Sequence, residues 1–153
     1  MPDRNIYKYA EKCLYDYPMN LSRLKVLHED LRVLRAGSDV HAQQYDKITG
    51  QIYIVFDPVS SYVEKLDRLE SQIKRIERNT TPITTLHNDL TQSSKSGSNR
   101  KADYLKILDL YYFDGSSLDF VVQALHCSRS TLFYKRRELV RLTIGYLGLT
   151  NFP

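Results

Sequence analysis

The chain has 153 residues and a mass of 17.9 kDa, enough for one hydrophobic core or for a small domain with a helical extension. A hydrophobic fraction of 42% excludes an intrinsically disordered chain, and the scarcity of Gly and Pro favours helices over strands. The net charge is +4. No apolar run approaches the roughly 18 residues of a membrane helix, and the polar start MPDRNIYKYAEK predicts no signal peptide. We therefore expect a soluble, cytoplasmic protein with no membrane partner.

Two short helices are predicted in the first third of the chain. Apolar residues at helical spacing indicate a helix over residues 5–16, and Pro18 is expected to interrupt it, because the residue before proline avoids helical backbone angles. A leucine stripe predicts a second helix over residues 21–34, closed by the Gly-containing stop at 36–39. Residues 39–57 contain a short β-rich run without a strand partner, so we expect an extended loop there.

A longer periodic segment opens at Pro58. Its apolar residues alternate at spacings of three and four, which is a heptad pattern: Val59, Tyr62, Leu66, Leu69, Ile73 and Ile76. Only about two and a half heptads are present. The pattern fits an amphipathic helix packed on its own chain and also a self-associating coiled coil that makes a homodimer.

The domain organisation is predicted from the residues that follow. Thr81 and Pro82 are typical of a helix start, so residues 83–90 form a short helix or continue the long one with a kink. Residues 91–99 are small and polar without a periodic apolar position, as in a linker. The expected fold is all-α, with a helical interaction region at 1–90, a linker at 91–99 and a separable C-terminal domain at 100–153.

The C-terminal domain has the layout of a helix-turn-helix. A first helix is predicted to end near Phe113, followed by a turn at Asp114 and Gly115. Ser117 is a plausible N-cap of the next helix, which places Phe120 and Val121 on its core face. Ser128, directly after the short connection at 126–127, is expected to cap the last helix. Three helices joined by such short turns are typical of this DNA-binding motif.

The last helix carries the predicted DNA contacts. Residues 99–153 hold eight basic and five acidic residues, so the positive charge is concentrated here. Leu132, Leu139 and Leu142 share one face and are assigned to packing. The predicted base-reading residues lie on another face: Arg129, Ser130, Phe133, Tyr134 and Arg137, with Thr131 and Lys135 at its edge. Lys135, Arg136 and Arg141 lie further round and suit phosphate contacts.

Other chemistry finds no support in the sequence. Cys13 and Cys127 lie far apart, and we interpret both as reduced, buried thiols. No histidine has a second metal ligand three or four residues away, and there is no glycine-rich phosphate loop or catalytic constellation. We therefore expect no metal, no cofactor and no enzymatic activity.

A family resemblance covers about 45 residues around the stretch YYFDGSSLDFVVQALHCSRSTLFYKRR, which starts at Tyr111. This stretch resembles region 4 of sigma factors and, more closely, the ArpU/RinA-type phage late-gene transcriptional regulators. The matching marks are the Tyr-Phe-x-Gly-x-Ser turn and the Ser-x-x-Thr helix start. The chain departs from the family pattern at 120–122, where a small acidic-Ile-Ala run is more usual.

The resemblance implies a function that the spacing alone does not. It suggests a sequence-specific activator of phage or prophage late genes, those for packaging and lysis. Its partners would be double-stranded DNA and host RNA polymerase, with residues 1–90 supplying dimerisation or polymerase contact. The alternative is a phage assembly protein such as a terminase small subunit that binds packaging-site DNA, although those proteins usually carry the DNA-binding part first.

Overall fold

The predicted all-α class is confirmed. A computed structural model describes residues 3–47 and 58–149, with side chains for residues 3–37 and 59–149. Every regular element within these ranges is helical: α1 (Arg4–Lys47), α2 (Pro58–Lys95), α3 (Asn99–Lys106) continued by a π-helical segment (Ile107–Phe113), α4 (Leu118–Leu125) and α5 (Arg129–Tyr146). Among these helices none combines the length and apolar character needed to cross a membrane.

The chain divides into two compact units at positions other than those predicted. One, the hairpin unit, comprises Leu21–Glu77, and the other, the terminal unit, comprises Met1–Asn20 with Arg78–Pro153. The predicted linker at 91–99 is wrong because α2 continues to Lys95. Its polar residues stay helical, and the hydroxyls of Thr91 and Ser96 donate to the carbonyls four residues before them. Only a short turn at 96–98 separates α2 from α3.

The hairpin unit is an antiparallel helix pair. Leu31 of α1 and Ile73 of α2 are buried. Two ion pairs cross between the helices, Arg35 with Glu70 at 3.2 Å and His28 with Glu77 at 3.6 Å. Their members lie seven residues apart on each helix, so both pairs belong to one heptad register. Ile73 of the α2 stripe is buried within the chain, whereas Val59 at its start is 68% exposed, and self-association stays a prediction.

The helix ends predicted at Pro18 and at 36–39 are both wrong. Helix α1 passes through Pro18 and continues beyond the stop expected at 36–39 as far as Lys47. Proline removes one backbone hydrogen bond, but buried Leu14 and Tyr17 before it and Leu31 after it hold apolar contacts on both sides. The loop expected at 39–57 is therefore helical up to 47, and residues 48–57 lie outside the described part. Helix α2 likewise passes through Pro82.

The core of the terminal unit draws on both ends of the chain. Its buried residues come from five segments: Ala10, Cys13 and Leu14; Ile83, Leu86 and Leu90; Ile107, Leu108 and Tyr112; Val121 and Leu125; Leu132, Leu139, Val140 and Ile144. Tyr17 also stacks on Phe113 with ring centroids 4.7 Å apart. The C-terminal helices thus share one core with the start of α1 and the end of α2. The compact unit therefore extends beyond the bounds of the separable domain predicted at 100–153.

Candidate nucleic-acid interface

Helices α4 and α5 occupy the positions at which the sequence predicts the last two helices of a helix-turn-helix. The side-chain oxygen of Ser117 accepts a hydrogen bond from the Phe120 amide at 3.2 Å, which caps α4. Residues 126–128 connect the helices, and His126 turns the chain with a left-handed φ of 51°. Ser128 then accepts from the Thr131 amide at 3.2 Å and caps α5. Both predicted caps are confirmed.

The packing face of α5 is broader than predicted. Leu132 and Leu139 are fully buried as expected, whereas Leu142 is only partly buried. Val140, Thr143 and Ile144 complete the buried face, and the Thr143 hydroxyl donates to the Leu139 carbonyl at 2.9 Å. The sequence interpretation counted leucines alone. The buried positions at 132, 139, 140, 143 and 144 fit one helix face and were detectable by periodicity.

An exposed face lies on the opposite side of α5. It is called the α5 exposed face here and consists of Arg129, Ser130, Phe133, Tyr134, Arg137 and Arg141. Arg129, Phe133 and Arg137 follow one another at intervals of four and so form one row along the helix. Phe133 is 42% exposed and Tyr134 is 55% exposed. Thr131 is half-buried, and its hydroxyl pairs with that of Ser128 at 2.9 Å.

Lys135 and Arg136, predicted as phosphate contacts, instead contact carboxylates of α3 and α1. Lys135 forms an ion pair with Asp103 of α3, and both side chains are mostly covered. Arg136 lies against Glu11 of α1, with Nη2 at 2.6 Å and Nε at 3.0 Å from the same carboxylate oxygen. Their side chains are only 22% and 17% exposed. A half-buried charge requires a partner, so both cations hold the terminal unit together and are not available to DNA.

Two tyrosines complete the cluster around Arg136. The hydroxyl of Tyr111 lies 3.1 Å from Nη1, and the hydroxyl of Tyr112 donates to Glu11 at 2.9 Å. Burial raises the pKa of Tyr112, and the charge of Glu11 raises it further. Burial by itself would lower the pKa of Arg136, but its hydrogen bonds to Glu11 raise it above the ordinary value. The guanidinium therefore stays charged, and the phenol stays neutral.

The π-helical segment explains how neighbouring tyrosines reach one guanidinium. Consecutive residues of an α-helix diverge by about 100°. In Ile107–Phe113 the turns are wider, and the segment ends with the Asp114 amide donating to the Asp109 carbonyl five residues back. Its other side is tied to α2, since Asp109 lies 2.9 Å from His87. The sequence analysis did not predict this π-helical segment.

The arginines on the α5 exposed face differ in their partners. Arg129 pairs with Asp119 of α4, and Arg141 pairs with Glu138 at 2.6 Å. The Arg129 pair is largely exposed, so it is worth little and can be exchanged for a phosphate. Arg137 makes no ion pair with any described residue and is exposed. The face thus offers one unpaired cation and two cations in replaceable pairs.

Helix α4 adds one residue that the sequence interpretation misplaced. Phe120 was assigned to the core, but it is 53% exposed, whereas Val121 beside it is fully buried. Val121 and Leu125 are four residues apart and form the buried edge of α4. That spacing already leaves Phe120 on the outer side. Phe120 therefore joins Asp119 as part of the outer surface of the motif.

Metal ligation has no candidate in the described part of the chain. Within residues 3–37 and 59–149, no three side chains of His, Cys, Asp or Glu lie close enough together to hold an ion. His28 and His87 each face a single carboxylate. Cys13 is buried as predicted, and this burial raises the pKa of its thiol; Cys127 is only half-buried.

Comparison of the chain with family models, with curated proteins and with solved structures found no match in any of the three. The nature of the site therefore has to be argued from its own geometry.

Proposed function

We propose that this protein binds double-stranded DNA with helix α5 and acts as a transcriptional regulator. The supporting observation is the arrangement of α4 and α5. A capped helix follows a three-residue connection, and its outward face carries Arg129, Ser130 and Phe133 in the first two turns and Arg137 midway along the helix. In a helix-turn-helix the N-terminal part of the second helix meets the base edges in the major groove.

The chemistry of this face suits the proposal. Arginine can bond to guanine through two atoms, serine can bond to a base or a phosphate, and positive charge near phosphates adds affinity that depends on salt. The unpaired Arg137 supplies such a contact without first breaking an ion pair. Regulation of phage or prophage late genes, and contact with host RNA polymerase, rest on the family resemblance.

The hairpin unit is proposed as the interaction region. Ile73 of its heptad stripe is buried within the chain, so we expect a second copy or a polymerase subunit to contact the outer side of the helix pair. Val26 and Val33, seven residues apart and both exposed, lie on that side of α1. A dimer would place two recognition helices about one helical turn of DNA apart.

The proposal is tested by sequencing DNA fragments retained by the purified protein at about 0.15 M salt, where nonspecific binding is weakened. Arg137→Ala should then weaken binding to the enriched site in a mobility-shift titration far more than binding to random duplex. Arg68→Ala, which removes an exposed arginine of α2, is the matched control and should change neither. Equal losses on both DNAs would remove the base-reading role of Arg137. Failure to enrich any sequence would contradict site-specific regulation.

Light scattering separates this proposal from the packaging alternative. A monomer or dimer fits a regulator, whereas a large ring of identical subunits would favour a terminase small subunit.

A further inference from the structure

The α5 exposed face carries more apolar surface than its charge alone explains. Phe133 is 42% exposed, and Tyr134 beside it is 55% exposed. An exposed phenylalanine forfeits part of the free energy of burial, so exposed aromatic rings grouped on one face indicate a contact surface. Here they lie between the arginines that the proposed function assigns to DNA.

Phe133 has a defined position in that row. It follows Arg129 by four residues and precedes Arg137 by four, so the three side chains project from the same side of α5. Its ring has no hydrogen-bonding atom and cannot bond to a base edge or a phosphate. In the major groove the apolar group that a base pair presents is the C5-methyl group of thymine. The thymine methyl group is therefore the group in the major groove with which the ring can make a favourable apolar contact.

The ion pairs of the α5 cations support an apolar contact by Phe133. Lys135 and Arg136 are held by Asp103 and Glu11 inside the terminal unit. Arg129 and Arg141 have carboxylate partners of their own. Arg137 is the cation of the face without an ion pair among the described residues, and Arg129 must exchange its exposed pair with Asp119 before it contacts a base. An apolar contact can therefore add to the discrimination between base pairs that hydrogen bonds provide.

We infer that Phe133 reads the C5-methyl group of a pyrimidine in the major groove, so that the target site is selected for methyl-bearing pyrimidines beside the bases contacted by Arg129 and Arg137. This inference rests on the proposed DNA binding. The chemistry is shared by thymine and by 5-methylcytosine, which carries the same methyl group at the same ring position.

The test uses the full-length protein and duplexes that differ by single methyl groups. Fragments are first enriched from a random-sequence pool made with thymidine triphosphate. The enriched duplex is then prepared again with deoxyuridine triphosphate, which keeps every base pair and removes the methyl groups. Binding of both duplexes is compared by fluorescence anisotropy. We expect the uracil duplex to bind about fourfold more weakly for each methyl group that the protein buries.

Variants identify the side chain responsible. Phe133→Ala should abolish the preference for thymine over uracil, and Phe133→Leu, which keeps an apolar side chain, should retain most of it. Arg137→Ala should weaken both duplexes by the same factor and leave their ratio unchanged. Because Phe133 is partly in water, its removal leaves a small cavity at most, and circular dichroism verifies the fold of each variant.

A second arm separates the two sources of the methyl group. At an enriched T·A pair, replacement by C·G should lower affinity, and replacement by 5-methylcytosine paired with G should regain about fourfold over C·G.

The possible outcomes distinguish failure of the methyl contact from failure of the proposed DNA binding. Equal affinity of the wild-type protein for thymine and uracil duplexes overturns the methyl contact while DNA binding stands. A Phe133→Ala variant that loses affinity for both duplexes equally overturns it too, because the ring would then act by stacking or packing. Absence of binding to every duplex overturns the proposed function and the inference together.

Discussion

Replacing Glu11 with glutamine tests how the start of α1 holds helix α5. The carboxylate accepts hydrogen bonds from Arg136 at 2.6 Å and 3.0 Å and from Tyr112 at 2.9 Å. Glutamine keeps the size of the side chain but removes the charge, which leaves a guanidinium without its ionic partner at a mostly covered position. Breaking a buried ion pair in this way costs about 3–5 kcal/mol. Because about a fifth of each side chain remains exposed, we expect a loss of about 2–3 kcal/mol.

Urea denaturation followed by far-ultraviolet circular dichroism measures this loss. Glu70→Gln is the matched control, since Glu70 pairs with Arg35 at an exposed position and should cost less than about 1 kcal/mol. The double variant Glu11→Gln with Arg136→Met should regain part of the stability, because no unpaired charge remains. If Glu11→Gln costs no more than Glu70→Gln, the ion pair does not stabilise the terminal unit and the reasoning fails.

Three further predictions follow from the same structure. Ser128→Ala should cost about 1 kcal/mol through loss of the α5 cap, and Ser130→Ala, two residues further on and exposed, should cost almost nothing in the same urea titration. The raised pKa of Tyr112 means that this phenol ionises near pH 10 in the unfolded chain but not in the folded one, so stability falls as pH rises above about 10. Tyr112→Phe should make that fall shallower by up to about 1.4 kcal/mol per pH unit; parallel alkaline melting curves for Tyr112→Phe and the wild type would contradict this. Residues 99–153 alone should show little helical circular dichroism, because the core partners on α1 and α2 are missing; a cooperative thermal transition of the fragment would count against the shared core.

The features that the sequence predicted correctly are encoded locally. A cap needs one hydroxyl and an amide three residues on, so Ser117 and Ser128 were recognisable from their positions. The heptad stripe of α2 was likewise visible as a spacing pattern, and its start at Pro58 was correct. The all-α class follows from the same periodicities.

The features that were missed depend on residues far away in the chain. In the sequence, Arg136 cannot be distinguished from the surface cations around it. Its partner Glu11 lies 125 residues away in the chain, and the fold places that carboxylate against the guanidinium. Pro18 is a local signal for a helix end, but buried residues on both sides of it keep α1 continuous. Within the polar run at 91–99, α2 ends only at Lys95. Phe120 was misassigned for a different reason: its neighbour Val121 is the residue in register with Leu125.

The ion pairs formed by cations between Arg129 and Arg141 change the salt dependence that is expected for DNA binding. If all five neutralised phosphates, the logarithm of affinity would fall with the logarithm of salt concentration with a slope of about −4.5 per protomer. The ion pairs of Lys135 and Arg136 leave Arg129, Arg137 and Arg141 on the exposed face, and the slope that α5 can supply drops to about −2.7. A weaker electrostatic component lowers nonspecific affinity as much as specific affinity. A larger share of the proposed affinity for a target site must then come from contacts that salt does not screen, and on this face the exposed ring of Phe133 is the side chain suited to make them.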